Sequence, residues 1–215
     1  MNKSAAVARS LPDLWNDFLA EVTPRGRIFP TGTPQRMVME MAADSTAKRR
    51  EIHPTCVPEN LIGVAAVEEL QQQADAAHGD SIEFNSHRVS DAPDAAVSYL
   101  ASPGVLEWCQ STISGRTLKM GRMIFIYYGP GEMSRLHFDT AEDFEFNLLV
   151  CLRRVRSDVQ KSTRTYFVDG ARKVTTYDLA AGQAVWFNGR WTPHGRTPLG
   201  EGEQVVLASL GFTSH

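Results

Sequence analysis

His137 and Asp139 stand two residues apart at the end of the stretch YYGPGEMSRLHFD, residues 127–139. In an extended chain the side chains at i and i+2 project to one face. The imidazole and the carboxylate then point together, and Phe138 points away. Two such groups are two ligands for a transition metal, and the site needs a third. Taken alone, this pair has a bland alternative: a surface histidine hydrogen-bonded to a neighbouring carboxylate.

The third ligand is sought among the other histidines. His53 and His87 fall in a less regular N-terminal part, His78 closes a helical stretch and His215 ends the chain. His194 lies in VWFNGRWTPHGRTP, between the strand-like segments 184–187 and 204–212. A strand end within a β region is where a second sheet edge brings a side chain close to His137. Trp186 and Phe187 beside it read as core. Two histidines and one carboxylate on a β scaffold form a facial triad, which fills three positions of an octahedral metal and leaves three open. Fe(II) is the usual metal for this arrangement, and oxygen chemistry is the usual use.

The elements that must position these groups divide the chain in two. Up to about residue 115 the pattern is mainly helical. Ser10, Leu11 and Pro12 open a short helix carrying Leu14, Trp15, Phe18 and Leu19, and a Pro- and Gly-rich loop follows from Thr23 to Pro34. Apolar periodicity predicts helices over 58–78, 94–101 and 103–115, the last with Pro103 in its first turn. From residue 116 the pattern turns to β. Strands are expected over 120–128, 144–152, 165–168, 173–177, 184–187 and 204–212, separated by turns such as Asp169-Gly170 and Ala181-Gly182. The expectation is a single domain over 1–215, of α+β class but mainly β. Flanking helices at 1–115 would lie against a sandwich or jelly-roll core at 116–215.

Bulk composition narrows the partners. The chain has 215 residues, a net charge of −3 and a pI near 6.1, so no strong field favours nucleic acid or an anionic membrane. Cys56, Cys109 and Cys151 form neither a CxxC pair nor a disulfide framework, which suits a reducing compartment. There is no run of about 18 apolar residues and no apolar leader, so a cytoplasmic location is expected. A small-molecule substrate and O₂ are the expected partners; the oligomeric state is not legible.

With these motifs in place, the segment from about Leu100 to Phe212 resembles the iron(II)/2-oxoglutarate-dependent dioxygenases, whose core is a double-stranded β-helix. The IYYGPGEMSRLHFD stretch is similar to their prolyl-hydroxylase-type pattern: a tyrosine, a Gly-rich turn, then HxD about ten residues on. YFVDGARKVTTYDLAAGQAVWFNGRWTPHG resembles the later strands that lead to the distal histidine. The resemblance implies His137, Asp139 and His194 as iron ligands and Tyr127 near the 2-oxoglutarate. By alternation Asn147, Leu149, Cys151 and Arg153 share one strand face; if it lines the pocket, Asn147 and Arg153 are its polar groups. Most of the family holds the far carboxylate of 2-oxoglutarate with an arginine about ten residues past the distal histidine. Here that position is Gln204. A buried carboxylate needs a cation or several donors. Arg153 and Arg164 are therefore the candidates, with Arg153 favoured, and Arg196, two residues past His194, could instead meet substrate.

The implied activity is hydroxylation of a small molecule, an amino acid or biosynthetic intermediate, with succinate and CO₂ as coproducts. Two alternatives stay open. One is a non-heme iron oxidase that needs no 2-oxoglutarate, which the missing late arginine favours. The other is a non-catalytic jelly-roll binding protein.

Overall fold

The computed structural model describes residues 7–10, 53–84, 86–139, 142–156, 163–168 and 173–215. The helix expected after Ser10 and the loop at 23–34 lie outside these residues. Twelve strands are described: β1 (Val7–Ser10), β2 (Thr55–Cys56), β3 (Ile82–Phe84), β4 (His87–Asp91), β5 (Leu118–Tyr128), β6 (Ser134–His137), β7 (Phe146–Val155), β8 (Thr165–Val168), β9 (Lys173–Tyr177), β10 (Ala184–Asn188), β11 (His194–Arg196) and β12 (Gln204–Ser214). Three helices accompany them: α1 (Val64–Ala77), α2 (Asp94–Leu100) and α3 (Pro103–Ser111).

The strands form two antiparallel sheets. One has the order β1-β9-β8-β11-β6, the other β2-β10-β7-β12-β5-β4-β3. The seven-stranded sheet is covered on both faces, which is why β7 reads FNLLVCLRRV with an almost unbroken apolar run. Its alternate residues sort into two layers. Phe146, Leu148, Val150 and Leu152 pack with Phe125, Trp186 and Phe212 under the helices. Leu149 and Cys151 pack with Phe167, Phe187 and Leu207 between the sheets. The helices bury one stripe each: Val67, Leu70 and Ala74 on α1, Ala96 and Leu100 on α2, Val105 and Cys109 on α3. Ser102 caps α3, its hydroxyl accepting from the Val105 amide, with Pro103 in the first turn.

The architecture is the expected mainly β jelly roll with flanking helices. Three local expectations shift. The helix expected over 58–78 begins only at Val64, because Asn60 adopts a left-handed φ of 72° that no helix continues through. The helix expected over 103–115 ends at Ser111. The described part of residues 1–115 is also less helical than expected, because β3 and β4 form a hairpin on the edge of the seven-stranded sheet. Between them Ser86 takes the positive φ (81°) that a glycine commonly supplies in such turns. Without that glycine the hairpin leaves little trace in the sequence. Among the described residues no helix is long and apolar enough to cross a membrane.

Candidate metal centre

β6 and β11 lie side by side at the edge of the five-stranded sheet, with His137 and His194 directly paired. Paired residues in antiparallel strands share a face, and the two rings are 4.4 Å apart between centroids. Asp139 follows just beyond β6, its amide donating to the Gly189 carbonyl at 3.0 Å. One ligand atom from each of His137, Asp139 and His194 lies within 4.8 Å of the others. The Nε2 atoms of His137 and His194 are 3.7 Å and 3.5 Å from the Asp139 carboxylate oxygens.

The tautomers follow from the backbone. His137 Nδ1 sits 2.7 Å from the Arg135 carbonyl, and His194 Nδ1 sits 2.9 Å from the Thr192 carbonyl. A carbonyl only accepts, so each Nδ1 carries the proton and each Nε2 presents a lone pair towards Asp139. Burial pushes the His194 pKa down to about 4 despite the opposing pull of Asp139, so the ring is neutral at pH 7, the form that binds metal. The carboxylate is held in turn. Asn147 on β7 donates from Nδ2 to Asp139 Oδ2, and Ser209 on β12 donates to Asn147 Oδ1 at 2.9 Å. Gly189 leaves the room for this: a Cβ there would collide with Asp139 Oδ2 and Asn147 Nδ2. Two imidazoles with Nδ1 held by backbone carbonyls, facing a braced carboxylate, are the donor set of an octahedral Fe(II) site.

A cavity of about 670 Å³ opens beside these groups. Arg196, Thr165 and Tyr128 line it on one side. Arg196 lies two residues past His194 on β11, so alternation turns both inward. The Arg196 side chain is buried, its Nη1 donates to Thr165 Oγ1 at 2.9 Å, and its guanidinium lies 5.4 Å from the centre of the Tyr128 ring. Among the described residues no carboxylate pairs with it, and its Nε has no hydrogen-bond partner. Burial lowers its pKa, the sign of a cation short of compensating charge. The other arginines on the cavity, Arg122 and Arg135, are exposed. A buried guanidinium with one neutral acceptor is costly unless an anion joins it, so this end of the cavity fits a carboxylate.

The other residues singled out from the sequence fall as follows. Asn147 lines the cavity. Tyr127 does not: its hydroxyl donates to the Ala74 carbonyl at 2.7 Å and lies 3.0 Å from Ser90 Oγ, on the helix side of β5. The next residue, Tyr128, faces the cavity, and burial pushes its phenol up to about 12. Arg153 is also outside, paired with Asp75 on α1. The cause is a bulge. Val206 pairs with Arg153 but Leu207 pairs with Cys151, so Leu152 is an extra residue on β7. Past it the alternation is inverted, and Arg154, not Arg153, turns inward. Arg154 is engaged there by Asp178 and by the Leu179 and Thr163 carbonyls. Arg164 lies outside the cavity, its backbone bonded to Thr197. Missed at the sequence level were Tyr128, Ser209 and Gly189; Arg196, expected to meet substrate, does face the cavity but is buried at its carboxylate-fitting end. The HGR triplet carried the signal for its inward turn, because a strand residue two past a ligand shares its face.

No protein-family model matches the sequence, and no curated protein sequence matches it. Solved structures do match. A prolyl hydroxylase from Trichoplax adhaerens, in complex with a hypoxia-inducible-factor peptide, superposes with a TM-score of 0.61 at 15% identity, covering 83% of this chain and 90% of that one. The non-heme α-ketoglutarate-dependent epimerase SnoN of nogalamycin biosynthesis has a TM-score of 0.61 at 16% identity, over 83% of each chain. HygX from Streptomyces hygroscopicus, with nickel, 2-oxoglutarate and hygromycin B bound, has a TM-score of 0.60 at 12% identity, over 84% of this chain and 87% of that one. At these identities the likeness is one of fold: the chain shares the double-stranded β-helix of these proteins.

Proposed function

We propose that the protein is an Fe(II)- and 2-oxoglutarate-dependent oxygenase that hydroxylates a small molecule, with succinate and CO₂ as coproducts. His137, Asp139 and His194 would hold the iron. Arg196, with Tyr128 and Thr165 around it, would hold the far carboxylate of 2-oxoglutarate, the role expected of Arg153 from the sequence. The observation that carries the reading is Arg196, a buried cation without a carboxylate partner among the described residues, on the same face of the same strand as His194.

When bound, iron and 2-oxoglutarate together supply the activation of O₂. The chain's own part is positional. The two Nε2 lone pairs and the Asp139 carboxylate set three ligand directions, and Asn147 and Ser209 keep the carboxylate from rotating. Leu149, Phe187 and Leu207 keep water from that side of the cavity. The open side lies at His137, whose side chain is 42% exposed, and substrate would enter there.

Anaerobic titration with Fe(II) and then 2-oxoglutarate, followed by visible absorption, tests the reading. One equivalent of iron and a visible charge-transfer band on adding 2-oxoglutarate are expected, both lost in His137→Ala. Iron bound without the band would favour the oxidase that needs no cosubstrate. No bound iron would favour the non-catalytic jelly roll.

A further inference from the structure

The cavity extends past the metal-binding side chains onto a wall that this function leaves unexplained. Register places Ile82 opposite Val89, Val89 opposite Ile126, and Ile126 opposite Leu207. The four form one row across β3, β4, β5 and β12 and share the inward face; all four line the cavity. Ile82 is 65% exposed, and Phe84, two residues on, is 53% exposed. Of the large apolar side chains that are exposed among the described residues, these two adjoin the cavity, while Val64, Met120 and Val155 do not. An apolar shelf continuous with a polar site is the ordinary construction of a small-molecule pocket. The charges on its rim balance: Arg122 lies 3.5 Å from Asp91, and Asp80 and Arg135 add one of each sign.

One polar group interrupts the shelf. His87 on β4 is buried and lines the cavity, its ring 4.9 Å from that of Tyr128 and edge-on to Phe84 at 5.9 Å. Its Nδ1 lies 3.3 Å from the Met133 carbonyl, so Nδ1 carries the proton and Nε2 the lone pair. No described residue hydrogen-bonds that Nε2. Burial, the largest influence, lowers the His87 pKa to about 4, so at neutral pH the ring remains uncharged and Nε2 remains an acceptor. An acceptor that opens onto the cavity loses its water when a ligand fills the space, so it selects a ligand that donates to it.

We propose that His87 is a specificity-determining residue of this cavity. Its substrate is an uncharged small molecule whose apolar ring or chain packs on Ile82, Phe84, Val89 and Ile126 and whose O–H or N–H donates to His87 Nε2. The inference rests on the proposed function in calling that ligand a substrate, and it narrows the class from an amino acid or biosynthetic intermediate to apolar, uncharged intermediates bearing a hydroxyl or a neutral N–H.

The test uses the full chain without metal, with 2-naphthol and its methyl ether 2-methoxynaphthalene as fluorescent probes of matched shape. The unaltered protein is expected to bind the naphthol about fivefold more tightly, the worth of one hydrogen bond. His87→Phe should erase that preference and keep ether binding; if it does not fold, His87→Leu reads the same loss. Phe84→Ser should weaken both probes alike, by about tenfold. No binding of either probe, equal binding by the unaltered chain, or a preference that survives in His87→Phe overturns the assignment of His87. Binding indifferent to Phe84→Ser overturns the shelf. None of these titrations involves metal, so their failure is distinct from failure of the iron titration.

Discussion

The seven-stranded sheet turns one face to the helices and the other to the five-stranded sheet, and the same strands build two different environments. On the helix side Phe125, Phe146, Trp186 and Phe212 are fully buried, with Phe146 and Trp186 stacked at 5.6 Å. Two polar side chains there are met locally: Trp186 donates to Thr112 Oγ1 at 2.8 Å, and Tyr127 is held by Ala74 and Ser90. On the inner side Asn147, braced by Ser209, reaches across to Asp139, opposite His137, His194 and Arg196. The Arg154 and Arg196 Nε atoms there have no hydrogen-bond partner among the described residues. The first arrangement is complete without a ligand and supplies stability. The second is incomplete without one, as a binding site must be.

If the two faces divide the work this way, substitutions should separate stability from ligand binding. The largest effect is expected from Asp139→Ala, which should abolish stoichiometric Fe(II) binding in calorimetric titration while the thermal midpoint hardly moves. On the other face, Trp186→Ala should cost about 3–5 kcal/mol in urea unfolding, and the folded fraction should still bind one iron. Iron lost along with the core there, or stability lost with Asp139, would break the division. Arg196→Met sharpens it further. Removing a charge-assisted partner should weaken 2-oxoglutarate binding about ten- to a hundredfold, yet stability should hold or rise, because a buried unpaired cation is gone. The midpoint and the charge-transfer titration read these separately.

The smallest effect expected is one of pH on the metal-free chain. His87 and His194 both have folded pKa values near 4, depressed mainly by burial, against an ordinary value of 6.5. Between those values the unfolded chain binds more protons than the folded one, so stability rises with pH through that window. It is complete above about 6.5 and is lost as pH falls towards 4. At pH 5 each histidine should cost on the order of 1–2 kcal/mol, and His87→Phe should flatten the slope of the urea midpoint against pH. An unchanged slope would mean that this histidine is not buried neutral.

Much of this was legible in the residue order because alternation and turn chemistry are local. β8 and β9 fall on 165–168 and 173–177 as the pattern indicates, and β5, β7, β10 and β12 differ from expectation by a few residues at their ends. His137 and Asp139 share a face by their spacing alone. The two misplacements have named causes. Tyr127 and Tyr128 are adjacent aromatics on a strand covered on both faces, so composition does not say which turns inward. Arg153 was placed by counting in twos through Leu152, where the bulge adds one residue and inverts every face beyond it.

By itself, then, the chain's order determined the β core, the helical flank and the HxD pair, each of which depends on neighbours within a few residues. Tertiary structure decided the rest: the pairing of His194 with His137 from 57 positions away, the parity of Tyr128, the placing of Tyr128 beside Arg196, and the hairpin that places His87 beside the metal cavity. Each depends on which strand lies next to which, and that register is set by the burial of whole faces, which no short window of sequence contains.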